Sequence, residues 1–392
     1  MKTAIRNLLP TRLYLKLAEI LALPFFLLRI FPISSKKIVF CNFDGKGYGD
    51  NPKYLANEIL DQGLNLDLVW LASETKKDLF PDEIRVVDIR SIRAIFELVT
   101  ARIWVDNSRK PFSTRKRNGQ YYIQTWHAGL MLKRVEKDAQ QALSDGYLKS
   151  AINDSRMVDL CISNGKFYSN FYRESFWYNG NVLECGFPKM DLFFGNNQQK
   201  YTEIKAAFDL PNETKIVLYA PTFRNNYDTS IYNLDFERIL ISLKSRFGDD
   251  WIFLVRLHPA VVNKSEKMEY SESVLNVSNY NDVQELMLIS DVLITDYSST
   301  MFEFGFLKRP VFIFAADIES FRQERGTYFE FEDLPFSVAR NIEELCNEIE
   351  RYDHSRYEEN VADFMSIHCS LERGTASKQI VNHIKFQLNL SL

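Results

Sequence analysis

At 392 residues, 46% hydrophobic and 26% charged, the chain exceeds one ordinary core and predicts two globular domains of roughly 150 to 180 residues each. A formal net charge of -4 excludes a general nucleic-acid binder, because it implies no uniformly basic surface. Five scattered cysteines (Cys41, Cys161, Cys185, Cys346 and Cys369) have no C-x-x-C spacing, which argues against a disulfide framework or zinc site and for buried thiols in a reducing cytosol.

From Leu8 to Pro32 the chain is apolar but interrupted by Arg12, Lys16, Glu19, Pro24 and Arg29. Its longest uncharged run, Ile20 to Leu28, is far short of the roughly 20 residues that cross a bilayer. Ile30 to Ser35 offers no small-residue cleavage site of the kind that follows a secretory signal. The expectation is an amphipathic segment over residues 1–35 lying on an anionic membrane. Lys2, Arg6, Arg12, Lys16, Arg29, Lys36 and Lys37 would face lipid. A core helix packed on the first domain is the plainer alternative.

Strand-like runs follow at Ile38 to Phe43, Leu66 to Leu71, Ile84 to Ile89, Ile103 to Asn107, Tyr121 to Trp126, Leu160 to Ser163 and Val182 to Cys185. Helical patterns such as Pro52 to Gln62 and Ser91 to Thr100 lie between them, the alternation of a parallel, doubly wound sheet. GKGYGDNPKY (Gly45 to Tyr54) matches a dinucleotide fingerprint only loosely. It reads as a flexible loop, with Asn51 and Pro52 opening a helix that faces the interdomain cleft. In QTWHAGLMLKRVEKD (Gln124 to Asp138), His127 follows a buried strand and precedes a small Ala-Gly pair, a suitable place for a general base. Lys133, Arg134 and Lys137 would follow on a helix and attract a phosphorylated acceptor. The plainer reading is a hydrogen-bonded structural histidine with lysines on a solvated face.

Lys189 to Lys200 reads as a linker, followed by strands at Ile216 to Ala220, Trp251 to Val255, Leu275 to Val277, Val292 to Thr295 and Val311 to Phe314. Arg224 leaves the first of these, and Arg256 and His258 leave the second. The turn Asp296 to Thr300 opens a helix, Met301 to Lys308, and its Ser298, Ser299 and Thr300 offer hydroxyls and free N–H groups to an anion. Capping by Ser298 or Ser299 is an equally good use of that turn in isolation. Arg325, Gly326 and Tyr328 lie on a late loop, and Tyr357 to Leu392 reads as helices. Each of these residues alone has a plain structural explanation, but cationic and hydroxyl residues recurring on successive strand ends are much harder to explain by packing and point to a phosphate-bearing ligand.

QTWHAG, YAPTFR, RLHP, ISDVLITDYSS and the Arg-Gly-x-Tyr element, spanning Gln124 to Tyr328, together resemble the CDP-glycerol glycerophosphotransferase family of teichoic acid primases and polymerases. The resemblance implies an α/β, GT-B-like fold of two Rossmann-like domains facing a cleft. The expected division is an acceptor-side domain over 36–190, a nucleotide-binding domain over 201–355, and carboxyl-terminal helices over 356–392 that pack back on the first domain. By motif position His127 is similar to the family's candidate base and His258 to its second essential histidine. Ser298 and Ser299 correspond to its pyrophosphate-binding serines, and Arg325 to the arginine of its late loop. Two imidazoles, His127 and His258, are thus expected to meet around one diphosphate.

The implied reaction transfers a polyol phosphate, glycerol or ribitol, from a CDP-polyol to a hydroxyl of a lipid-linked saccharide or polymer acceptor, releasing CMP. It would take place peripherally at the cytoplasmic face of a bacterial membrane, in teichoic acid or related cell-surface polymer synthesis. Arg224, Arg256 and Thr300 would join the phosphate site, and Glu303 would accept from ribose hydroxyls. No carboxylate cluster with metal spacing accompanies these residues, so no tightly bound cofactor or metal is expected, although loosely held magnesium is compatible with the chemistry. His-Ala-Gly-Leu-Met stands where many family members have Gly-Thr-Pro after the histidine, and the sequence lacks the large extra amino-terminal region of the long polymerases. Both departures leave the polyol, and priming against polymerisation, open. The rival readings are a GT-B glycosyltransferase or epimerase using a nucleotide sugar, and a non-catalytic membrane scaffold of the same fold.

Overall fold

Alternating apolar and helical stretches build two parallel sheets in the computed structural model of the protein. The structure describes residues 11–73, 77–224, 232, 234–258 and 270–390, the side chains of 11, 12, 14, 77 and 323–325 excepted. One unit comprises residues 1–127, 135–191 and 371–392, and the other residues 128–134 and 192–370. Residues 128–134, inside the range expected for the first domain, therefore belong to the second unit.

The first sheet contains β1 (Ser34–Cys41), β2 (Asp67–Ala72), β3 (Arg85–Asp88), β4 (Ala101–Asp106), β5 (Tyr121–Gln124), β6 (Leu160–Ser163) and β7 (Asn181–Glu184). Their order is β3-β2-β1-β4-β5-β6-β7. The apolar runs Ile38–Cys41 of β1, Leu68–Ala72 of β2 and Ile103–Val105 of β4 are buried throughout, as in parallel strands covered on both faces. The chain steps outward from β1 to β3 and then returns to pair β4 with β1, so the topological switch lies between β1 and β4.

The second sheet contains β8 (Lys215–Tyr219), β9 (Trp251–Val255), β10 (Val274–Asn276), β11 (Val292–Thr295), β12 (Val311–Phe314) and β13 (Ser337–Ala339), ordered β10-β9-β8-β11-β12-β13. Its switch lies between β8 and β11. Strand β13 carries no apolar run and went unforeseen; pairing with β12 makes it a strand. All five cysteines are buried and free.

The helix Thr11–Leu27 buries Ala18, Ala22 and Phe25 against helices Ile92–Thr100 and Asp145–Met157. Leu13, Ile20, Leu21, Leu23, Leu27 and the following Ile30 are each more than half exposed. Among the described residues no helix is long and apolar enough to cross a membrane. Two basic residues expected to face lipid turn inward instead. Arg29 donates to Lys116 O at 3.2 Å, and Lys37 is buried with its ammonium 2.6 Å from Glu97. Lys16 and Lys36 are exposed, whereas Lys2, Arg6 and the Arg12 side chain lie outside the described residues.

Glu97, fully buried, accepts from Lys37, Arg85 and Arg93. Burial pushes its carboxyl up, but Arg85 and Lys37 outweigh that and hold it down at about 2. A carboxylate depressed below its unfolded value of about 4.3 stabilises the fold fully above that pH and loses the contribution as pH falls toward 2. Glu97→Gln should therefore destabilise the first unit by about 3 kcal/mol at neutral pH, through cations left without their partner. Urea unfolding of both proteins should show the difference shrinking below pH 4; a gap unchanged at pH 3 contradicts this assignment.

At the carboxyl end the helix His354–His368 stays with the second unit, while Ala376–Leu388 belongs to the first. The Asp191 carboxylate accepts from Ala376 N and Ser377 N at 2.9 and 2.7 Å, anchoring that helix start.

Candidate active site

In the first unit, polar residues gather at the β1/β4 switch. Asn107 follows β4, and its carbonyl lies 2.7 Å from His127 Nδ1. A carbonyl can only accept, so Nδ1 carries the proton and Nε2 keeps its lone pair. Burial lowers the imidazole pKa below the ordinary 6.5, against the opposing effects of the Asn107 bond and the Asp50 charge. Phe43 and Trp126 flank the ring, with centroids 5.0 and 4.3 Å away.

The residues behind His127 form one connected network. Asn107 Nδ2 donates to Asn42 Oδ1 at 2.8 Å and Asp50 Oδ1 at 3.0 Å, while its Oδ1 accepts from Phe43 N at 2.8 Å. Buried Lys189 donates to Asp50 Oδ2 at 3.2 Å and to the His127 carbonyl at 2.6 Å. Trp126 has φ +53, a left-handed conformation that an aromatic residue holds only where its surroundings enforce it. Here Gln124 Oε1 accepts from Trp126 N and Asn51 Nδ2 donates to Trp126 O.

This overturns three expectations. The loop expected to be flexible is tied by hydrogen bonds from Gly45 N and Lys46 N to Asn42 O and from Ser73 N to Gly45 O, and it leads into a helix whose first residues, Asp50 and Asn51, are buried and brace the histidine. Lys189, read as the start of a linker, is a core residue of the same network. No helix carries Lys133 and Arg134; both lie in extended chain that bridges residues 326–328.

In the second unit, the β8/β11 switch is tied together by Asp296. Its Oδ1 accepts from Thr222 N at 2.8 Å and Tyr297 N at 2.6 Å, and its Oδ2 accepts from Thr222 Oγ1 at 3.0 Å. Arg224 lies 2.8 Å from Asp296, donates to both oxygens of Asp317, and sits 4.8 Å from the Tyr297 ring centroid. Its guanidinium is therefore engaged by protein rather than presented to a phosphate, which makes it a clamp between loops. Arg256 is different. Its described side-chain bond, from Nη2 to Tyr280 O, is 3.5 Å long, and its buried Nε has no partner among the described residues. Burial lowers its pKa, opposed by the charge of Asp282.

The turn itself spans half-buried Ser298, Ser299 and Thr300. Ser298 Oγ accepts from Thr300 N at 3.3 Å, whereas Ser299 makes no side-chain cap. Thr300 Oγ1 is buried with no partner among the described residues. The helix runs Thr300–Gly305, shorter than expected, so anion binding here would rest on the turn's own donors more than on a dipole. Glu303 is buried and accepts from Gln284 Nε2 at 2.8 Å. His258 is exposed, its ring 5.9 Å from that of Phe223.

Lys133 pairs with Thr327 and holds its ammonium 4.8 Å from the Phe321 ring centroid, while Arg134 Nε donates to Thr327 O at 3.1 Å. These two residues thus join the Gly326–Tyr328 element in one unit; Lys137 stays in the other, exposed on the 3-10 segment Glu136–Ala142. Arg325 closes the helix Ile318–Arg325 rather than lying on a loop, and its side chain is outside the described residues. Sequence reasoning missed Asn107, Asp50, Lys189 and Asp317. The Val-Asp-Asn ending of β4 and the Gly-Asp-Asn after β1 were the available signals for the first two. Among the described residues no group of three or more His, Cys, Asp or Glu is placed to hold a metal.

The profile of a family described as CDP-Glycerol:Poly(glycerophosphate) glycerophosphotransferase matches residues 23–385. The chain is similar to the teichoic acid poly(glycerol phosphate) polymerase of Bacillus spizizenii, 31% identical over 381 residues that cover 94% of this chain and 96% of that one. It is also similar to the polymerase of that name from Staphylococcus epidermidis, 34% identical over 362 residues and 89% of this chain; it spans 50% of that relative's length. A solved structure of the wall teichoic acid polymerase TagF aligns with a TM-score of 0.83 and 32% identity, covering 93% of each chain.

Proposed function

The chain belongs to the CDP-glycerol:poly(glycerophosphate) glycerophosphotransferase family, and from that premise we propose that it transfers a polyol phosphate from a CDP-polyol to an acceptor hydroxyl in teichoic acid synthesis. The acceptor oxygen attacks the β-phosphorus, the bridging P–O bond to CMP breaks, and His127 Nε2 takes the hydroxyl proton. The observation that carries this reading is the His127 tautomer. The Asn107 carbonyl fixes the proton on Nδ1, leaving a neutral acceptor at Nε2. Arg256, His258, the Ser298–Thr300 donors and Arg325 are assigned to the two phosphates, as charge stabilisation of a transfer that needs mainly positioning. Arg224 and Asp296 act as positioning residues. Glu303 serves the ribose hydroxyls, and Lys133, Arg134 and Lys137 the acceptor.

The acceptor is a lipid-linked saccharide or polyol-phosphate polymer, met at the cytoplasmic face of a bacterial membrane. Support comes from the exposed apolar side of the helix Thr11–Leu27, with Lys16 beside it. The test incubates the purified full chain and a lipid-linked acceptor with CDP-glycerol, CDP-ribitol or UDP-sugars. Release of CMP with phosphodiester formation is expected from a CDP-polyol; turnover confined to UDP-sugars overturns the reading in favour of a glycosyltransferase.

A base whose pKa burial has lowered must be neutral to act, so kcat/KM should rise from acid pH with an inflection below 6.5 and level off through neutrality. A pH–rate profile checks this; an inflection well above neutral would remove His127 from the role of base.

A further inference from the structure

The carboxylate of Asp50 reaches both points at which His127 is held. Its Oδ1 accepts from Asn107 Nδ2 at 3.0 Å and from Asn51 N at 2.8 Å, and its Oδ2 accepts from Lys189 Nζ at 3.2 Å. The Asn107 carbonyl takes the Nδ1 proton of the ring, and Lys189 donates to the His127 carbonyl at 2.6 Å. We propose that Asp50 and Lys189 are positioning residues for the base: Asp50 holds the ring in its Nδ1–H form through Asn107, Lys189 holds the main chain of His127, and their opposite charges balance at the ring. The inference rests on the transferase reading above.

Packing does not ask for this pair. Asp50 and Lys189 are both buried, and a buried ion pair is generally no more stable than apolar residues of the same volume. The pair also sits where the backbone is strained. Asp50 has φ +54 and Trp126 φ +53, conformations that persist only where neighbouring groups over-determine them. The neighbouring groups here are Asn51 and Lys189. Asn51 Nδ2 donates to Trp126 O at 3.0 Å, and its Oδ1 accepts from Lys189 N at 3.2 Å. With the carbonyls of Trp126 and His127 and the ring Nδ1 all engaged, neither the main chain nor the imidazole of His127 turns without breaking a bond in the network. The charges that act on the ring are those of Asp50, Lys189 and Glu136. Asp50 and Glu136 favour the imidazolium and Lys189 opposes it, while Glu136 is itself paired with Arg109 at 2.8 Å. Removing the charge of Asp50 should therefore weaken the base, and removing that of Lys189 should strengthen it. A pair that served the fold alone would not produce opposite signs.

The test compares the full chain with Asp50→Asn, Lys189→Met and the double substitution. Asparagine tolerates the left-handed backbone of position 50, and methionine keeps an unbranched, adaptable side chain without the charge. The double variant leaves neither charge buried alone, so it keeps the test open should a single variant fold poorly. Titration by NMR with selectively labelled histidine reads tautomer and basicity without turnover; the His127 signal is the one of five that His127→Asn removes. The unsubstituted protein should show the Nδ1–H tautomer. Asp50→Asn should mix the two tautomers and move the midpoint to lower pH. Lys189→Met should keep the Nδ1–H form and move the midpoint to higher pH, with the double variant between the two. In steady-state assays each single variant should lose about 100-fold in kcat, the effect of a displaced catalytic group, with little change in KM for the CDP-polyol. The acid inflection of kcat/KM should move with the NMR midpoint. Single substitutions that shift the midpoint in the same direction, or not at all, overturn the proposal. So does kcat unchanged in both, and so does loss of the parent circular-dichroism spectrum in all three variants, which would assign the pair to the fold instead of the histidine. The NMR readout needs no turnover, so a failure of the transferase reading shows separately, as absence of CMP release by the unsubstituted protein.

Discussion

Replacing His127 by asparagine should lower kcat about 1,000-fold, within the range supplied by a positioned general base, while KM for the CDP-polyol changes little. Asparagine is the informative replacement because its amide can still donate to the Asn107 carbonyl, which Nδ1 meets at 2.7 Å in the parent protein. The Asp50–Asn107–Lys189 network should therefore persist, and thermal unfolding should show little change. What disappears is the lone pair at Nε2. Steady-state CMP release at pH 7.5 measures the loss, and the acid limb of the pH profile should vanish from the residual rate. Activity within tenfold of the parent would mean that another group takes the proton. The same variant addresses the scaffold reading, in which vesicle binding is the function and turnover by the parent chain is absent from the outset.

Asp296→Ala should act in the second unit by a different route. That carboxylate accepts from Thr222 N, Thr222 Oγ1 and Tyr297 N and pairs with Arg224, so it fastens the loop after β8 to the turn after β11. Its removal leaves donors in the loop without partners and takes from Arg224 one of the two carboxylates it pairs with, Asp317 remaining, a cost of about 3 kcal/mol. The Ser298–Thr300 donors then lose their fixed position, and KM for the CDP-polyol should rise about tenfold or more. Denaturant unfolding and steady-state kinetics read the two effects independently. A KM within twofold of the parent would show that the turn holds its shape without this tie. Asp296→Asn, which retains an acceptor but loses the charge, should fall between the two.

The two substitutions also separate the roles assigned here. A base lost from the first unit depresses kcat, whereas a loosened phosphate site in the second weakens donor binding. A chain acting as a glycosyltransferase would show its losses with UDP-sugars instead.

Local signals in the sequence specify the α/β class, the strands other than β13, the family, and His127, His258 and the Ser298–Thr300 turn as candidates. Each of these is written in local signals: apolar runs at strand length, polar residues at strand ends, and a motif string read in order. β6, β9 and β11 fall at the residues expected from their apolar runs, because buried strands leave that imprint whatever surrounds them.

Only the tertiary structure decided which strand ends are neighbours, and with that which polar residues act together. Asn107 follows β4, Asp50 opens the helix after β1, and Lys189 lies 62 residues beyond His127; the strand order around β1 and β4 is what brings them to one histidine. Arg224 looked like a free cation because its partner Asp317 is 93 residues away. Lys37 looked like a lipid-facing charge because Glu97, its partner, follows 60 residues later. Hydrogen bonds and ion pairs are set by distance in space, which local periodicity does not encode. The neutral tautomer of His127, on which the chemistry turns, is therefore a property of the fold and not of the motif that contains it.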